Sequence, residues 1–130
     1  MNDTLRHSIL LIEDEPLLAM DVEMALQAVG FHVMGPAESN NAAFALLRTK
    51  TPDLTILDLN LGREMSFPVF DHLAELDEPF IIVSGHSQHI LPARFQDQPF
   101  LQKPYRMEAL VRMVREMLEA ADARSVFKAV

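Results

Sequence analysis

The chain reads as an α/β protein, a doubly wound parallel sheet with helices on both faces, on three observations. Short runs rich in aliphatic and β-branched residues alternate with longer segments of helical period, which is how strand and crossover helix succeed one another in such a fold. The run SILLI at 8–12 is apolar throughout after Ser8, as a strand covered on both faces must be. Breakers separate the segments, Gly30 after the first helical stretch and Thr51-Pro52 after the second.

The first strand is expected at 8–12 and the first helix at about 15–29, where Leu18, Val22, Ala25, Leu26 and Val29 share one stripe. Residues 31–34 make the second strand, and Gly35-Pro36 reads as a breaker behind it. The second helix, 38–50, is built on Ala42, Ala43, Ala45, Leu46 and Leu47. The third strand, 54–57, leaves Asp58 at its carboxyl end. A loop at 63–68 leads to a helix at 69–76, after which Pro79 opens a fourth strand, 80–83, closed by Ser84. Residues 85–97, GHSQHILPARFQD, are the least regular part of the chain. Pro92 removes a backbone donor and clashes with a preceding helical turn, so a fourth helix is expected to be short or missing and the segment mobile. Phe100-Leu101 form a short fifth strand closed by Lys103-Pro104. The last helix, 106–123, carries Met107, Leu110, Val111, Val114, Met117, Leu118 and Ala121 at every third or fourth position. Eight methionines, Met20, Met24, Met107 and Met117 among them, fall mostly at helical spacing and read as core filling.

At 130 residues the chain suits one domain of the commonest size, and a single domain over 1–130 with a core at about 7–122 is expected. Without cysteine, neither a disulfide framework nor a thiolate metal site is available. The apolar run 9–12 is too short for a signal-peptide core or a membrane span, so a cytoplasmic protein with no membrane association is expected. Lys+Arg of 11 against Asp+Glu of 19 gives a net charge of -8, which opposes direct binding of nucleic acid or anionic lipid. A cation or a positively charged protein surface is the better electrostatic partner.

Ligands of open parallel sheets bind outside the carboxyl ends of the strands. There the sequence places Glu13 and Asp14 after the first strand, Asp58 after the third, Ser84 after the fourth and Lys103 after the fifth. Carboxylate oxygens suit Mg²⁺, which takes one or two carboxylates and keeps several waters. Asp14 and Asp58 are the expected direct ligands, with Glu13 acting through a water and the backbone carbonyl of Asn60 adding an oxygen. A Mg²⁺ ion and Lys103 would favour an ionised Asp58, and a carboxylate nucleophile can accept a phosphoryl group. Lys103 and the Ser84 hydroxyl would then neutralise the transferred oxygens. Glu15, next to Pro16, reads as a favourable charge at a helix start.

The motifs LLIEDEP, LTILDLNLG, IIVSG and PFLQKPY together resemble the receiver domain of bacterial two-component response regulators, over roughly residues 7–122. The resemblance implies a flavodoxin-like sheet in the order 2-1-3-4-5 and a Mg²⁺-dependent transfer of phosphate from a sensor histidine kinase to Asp58. Slow self-hydrolysis would follow, with no turnover of a separate substrate. It further implies a cis Lys103-Pro104 bond and a switch in which Ser84 moves toward the phosphorylated Asp58 while Phe100 rotates into the vacated space. Nothing but a short tail follows the last helix, so output through contact with a downstream protein is expected. The alternative within the family is a phosphate sink competing with another regulator for one kinase. An aspartyl-phosphate phosphatase would carry a second aspartate two positions after the nucleophile, where this chain has Asn60. A flavin carrier would place its phosphate against Glu13-Asp14-Glu15, which would repel it. The five histidines are scattered and suggest no metal site.

Overall fold

The computed structural model describes residues 7–129, with side chains as far as Arg124. Five strands, β1 (Ser8–Ile12), β2 (His32–Ala37), β3 (Leu54–Asp58), β4 (Phe80–Ser84) and β5 (Phe100–Gln102), form one sheet in the order β2-β1-β3-β4-β5. Every neighbouring pair is parallel. The helices are α1 (Pro16–Ala28), α2 (Asn40–Thr49), α3 (Phe67–Glu75) and α4 (Met107–Ala129). This is the flavodoxin-like arrangement, with the fourth crossover helix missing as expected. No described helix is long and apolar enough to cross a membrane.

Two cores follow from the period of two along each strand. Ile9, Leu11, Ile56, Ile81 and Val83 face α1 and α4, where Ala19, Val22, Leu26, Leu110, Val114 and Leu118 meet them. Leu10, Ile12, Leu57, Phe80 and Ile82 point the other way, against Ala43 of α2 and Val69, Phe70 and Leu73 of α3. The central strands are therefore buried on both faces, and their apolar runs carry no polar alternation.

Three expectations needed correction. Gly35-Pro36 is no breaker: β2 runs through it to Ala37, with a register shift opposite Leu10 and Ile12. β2 lies at the sheet's edge, where the missing proline N–H costs no ladder bond. Gly35 sits at φ 99°, and a Cβ there would meet the Leu11 carbonyl oxygen at 2.7 Å, so the irregularity is a glycine position. Second, α2 starts at Asn40, because the Ser39 hydroxyl accepts the N–H of Ala42 and caps it. Third, Met20 and Met24 are not core: they are 52% and 61% exposed, on the side of α1 away from Val22 and Leu26, beside the 73% exposed Leu17. Met107 and Met117 do pack on the α1/α4 core.

The segment expected to be mobile is tied down. It forms two single turns, Gln88–Ile90 and Ala93–Phe95. The Gln88 amide donates to the carbonyls of Phe95, Gln96 and Gln98, and the Gln96 amide donates to those of Gln88 and Leu91. Phe95 is fully buried, its ring 4.3 Å from that of Phe70. Phe95, with Leu91 packed on the same core, thus covers the sheet face that a crossover helix would cover.

Candidate functional site

The carboxyl ends of β1, β3 and β5 bring four charged side chains together. One carboxylate oxygen from each of Glu13, Asp14 and Asp58 lies within 4.8 Å of the others. From β5's end the Lys103 ammonium reaches across, 2.7 Å from Asp58 Oδ2 and 3.0 Å from Glu13 Oε1. The Lys103–Pro104 bond is cis. The other Asp58 oxygen accepts the N–H of Asn60 at 3.1 Å, which fixes the carboxylate plane.

Burial sets the electrostatics. Asp58 and Glu13 are 4% and 3% exposed, so their charges interact with little water between them. Burial, and then the neighbouring Asp58 charge, push Glu13 up to about 7; the Glu15 N–H and the Lys103 ammonium work against that rise. Burial alone would lower Lys103, but its hydrogen bonds to Asp58 and Glu13 outweigh it and the ammonium is held protonated above its usual range. Two buried carboxylates and a third beside them, sharing one ammonium, leave excess negative charge for a hard cation.

The residues present fit Mg²⁺. All three donors are carboxylates, which that ion prefers. A further sign is Gly62, at φ 81°, where a Cβ would stand 3.0 Å from Asp14 Oδ2. Its absent side chain leaves the Asp14 carboxylate room beside the β3–α3 loop. Asn60 lines the same cavity, of about 530 Å³, with Asp14, Asp58 and Lys103.

Ser84 ends β4 one position beyond Val83, the register partner of Asp58, and is 4% exposed. Its Oγ accepts the N–H of His86 at 3.1 Å, and its carbonyl accepts the N–H of Lys103. Phe100 pairs with Ile82 and packs, half-buried, on the α2/α3 core. Glu13, Asp14, Asp58 and Lys103 are thus drawn into one cluster, while Ser84 stands on the adjacent strand end with its hydroxyl engaged by the following loop.

Two residues were missed in the sequence. Buried Ser66 donates its hydroxyl to the Asp58 carbonyl at 2.6 Å and its N–H to the Leu59 carbonyl, which pins the loop below the site. A serine before an apolar helix reads only as a cap. Tyr105, following Lys103-Pro104, is pushed up to about 12, first by burial and then by the Glu13 charge. Its adjacency to Lys103 was a usable signal.

Fold and site together define a receiver domain, and the comparisons agree. Residues 9–115 match the response regulator receiver domain, and the chain belongs to that family. It is 30% identical over 114 residues, 85% of its length, to the phyllosphere-induced regulator PhyR of Methylorubrum extorquens, and spans 43% of that protein. The solution structure of SdrG from Sphingomonas melonis Fr1 superposes with a TM-score of 0.73 at 36% identity, covering 86% of this chain and 96% of SdrG. The BeF3-activated conformation of SdrG matches with a TM-score of 0.72 at 38% identity, covering 85% and 95%.

Proposed function

We propose that Asp58 accepts a phosphoryl group from a sensor histidine kinase in a Mg²⁺-dependent reaction, and that the modified domain signals through contact with a downstream protein. The observation that carries the reading is the Lys103 ammonium bridging Asp58 and Glu13 beside Asp14. Asp14, Asp58 and the Asn60 carbonyl would hold the ion, with Glu13 reached through a water. When bound, Mg²⁺ offsets the charge of the incoming phosphoryl oxygens.

The chain's own groups do the rest. Asn60 N–H holds Oδ1 of Asp58, while Oδ2, which accepts from the Lys103 ammonium at 2.7 Å, is the oxygen that would attack phosphorus once that ammonium turns to the incoming group. As the O–P bond forms, the bond to the donor nitrogen breaks and the imidazole leaves with that electron pair. Lys103 then moves its hydrogen bond from the carboxylate to a phosphoryl oxygen. The Ser84 hydroxyl accepts from His86, so its own proton remains available to donate to another phosphoryl oxygen. Drawing Ser84 toward Asp58 would pull on the 85–99 segment and release space beside β5 for Phe100, the expected switch. The BeF3-activated SdrG supports an activated state of the same fold in a relative.

Incubation with Mg²⁺ and phosphoramidate, followed by intact mass, tests the reaction. One phosphoryl group should be added, with none in Asp58→Asn or in excess chelator. Addition that survives Asp58→Asn places the acceptor elsewhere and ends the proposal.

A further inference from the structure

We propose that Glu15, Glu38 and Glu64 act as an electrostatic filter at the mouth of the Asp58 site, repelling small dianionic phosphodonors and favouring a protein donor whose phosphohistidine stands among cationic side chains. The inference rests on Asp58 being the acceptor and concerns which donors reach it.

The charge around the opening is one-sided. Glu15 lines the cavity that holds Asp14, Asp58 and Lys103. An adjoining cavity of about 680 Å³ shares Asp14 and Gly62 with it and is walled by Glu38 and Glu64, with Arg63 as the opposing cation. Among the described residues, the charged groups along the two openings are therefore Asp14, Glu15, Glu38, Asp58 and Glu64 against Lys103 and Arg63. Lys103 is already bound to Asp58 and Glu13, so it offers an approaching anion little net attraction.

Mg²⁺ would offset the inner charges, leaving the outer three opposed by Arg63. These outer carboxylates are exposed, and Glu64 is held in place: its Oε1 accepts the Asn40 N–H at 2.6 Å, while the Asn40 amide donates to the Met65 carbonyl. A diffusing dianion such as acetyl phosphate meets a field of three carboxylates that Arg63 offsets only in part. A protein surface with lysines or arginines around its phosphohistidine turns the same field into attraction. The chemistry at Asp58 is common to all donors: an Asp58 oxygen forms the bond to phosphorus, and the leaving atom of acetate, ammonia or imidazole departs with the electron pair of the broken bond.

The test is the rate of phosphoryl addition, by intact mass at saturating Mg²⁺, for the wild type and for Glu15→Gln/Glu38→Gln/Glu64→Gln. Donors are acetyl phosphate, a dianion near neutral pH, and phosphoramidate, a monoanion there. Removing three exposed, salt-screened charges should accelerate addition about fivefold for acetyl phosphate and about twofold for phosphoramidate, whose single charge feels half the repulsion. The wild-type rate with acetyl phosphate should rise with ionic strength and the variant's should not. Mg²⁺ affinity, measured by calorimetry, should fall in the variant, opposite in sign to the rate. Rates and affinity falling together would show that these side chains only support the structure and would overturn the filter, as would rates unchanged for both donors. Addition without charge dependence removes the filter alone; no addition to the wild type from either donor removes the acceptor reading with it. Glu38→Gln alone, at an exposed position, repeats the measurement with a smaller change of the same sign if the triple variant does not fold.

Discussion

The acidic edge gathers at the carboxyl ends of β1, β3 and β5, the fourth crossover joins β4 to β5, and the two are held by different physics. At the edge, four ionisable side chains are packed against one another, and their geometry follows from attraction and repulsion between buried charges. In the crossover, the bonds run from glutamine amides to backbone carbonyls, and the weight is carried by one ring. The edge is costly in the absence of a cation; the crossover is self-satisfied. The proposed reaction sits where the fold leaves charge uncompensated, whereas in this crossover two single turns that bury the sheet face and pair their own carbonyls stand where the fourth helix is missing.

The largest effect should come from Phe95→Ala. Phe95 is fully buried between Phe67 and Phe70, so its loss should cost about 3–4 kcal/mol in urea unfolding. Calorimetric Mg²⁺ affinity should be nearly unchanged, because among the described residues the cluster's ion-pair and hydrogen-bond partners are Lys103, Glu15 and Asn60, outside the crossover. Equal loss of both would join the two regions into one unit and break the comparison.

The edge should reveal itself in pH. Glu13 is raised from 4.5 to about 7, so within that window the folded protein keeps a proton that the unfolded chain has released. Its contribution therefore favours folding at the low end and is lost as pH rises through the window, on the order of 2 kcal/mol for metal-free protein. Lys103 is raised as well, and its contribution is lost only at strongly alkaline pH. Saturating Mg²⁺, which requires ionised carboxylates, should flatten or reverse the fall. Urea midpoints at about pH 5 and about pH 8, with and without Mg²⁺, check this; a metal-free midpoint that rises between them contradicts the Glu13 environment.

The difference also explains what was legible in the sequence. Asp58, Glu13, Asp14 and Lys103 each interrupt or follow an apolar run at a strand end, and the position of a strand end is readable because the run itself is. The absence of a fourth helix was readable from Pro92 and the short span 85–102. What replaced it was not, since a glutamine that bonds backbone ten residues on leaves no periodic trace. Gly35-Pro36 misled for a related reason: a breaker in a central strand is an ordinary edge residue in β2, and edge position is a property of the whole sheet. Met20 and Met24 show that helical spacing names a face without saying which face is inward.

Smaller effects sharpen the crossover side. Gln88→Ala removes donors to three carbonyls and should cost about 1.5 kcal/mol, with faster amide exchange confined to 85–99. Exchange unchanged there would mean that Phe95 alone holds the segment.

The smallest effect tests what Arg94 contributes. Its guanidinium lies 4.8 Å from the Phe95 ring centre and 5.3 Å from that of Phe67, and its Nε is 3.3 Å from Asp71 Oδ1. Both members of the ion pair are about half exposed, 49% and 57%, so water and salt screen it. The rings hold the cation on their faces whether or not Asp71 is charged. Arg94→Gln should therefore cost about 0.5–1 kcal/mol, and Asp71→Asn clearly less, in urea unfolding at physiological ionic strength. If Asp71→Asn costs as much as Arg94→Gln, and both losses vanish at high salt, the crossover is pinned by charge like the acidic edge, and the contrast between the two regions fails.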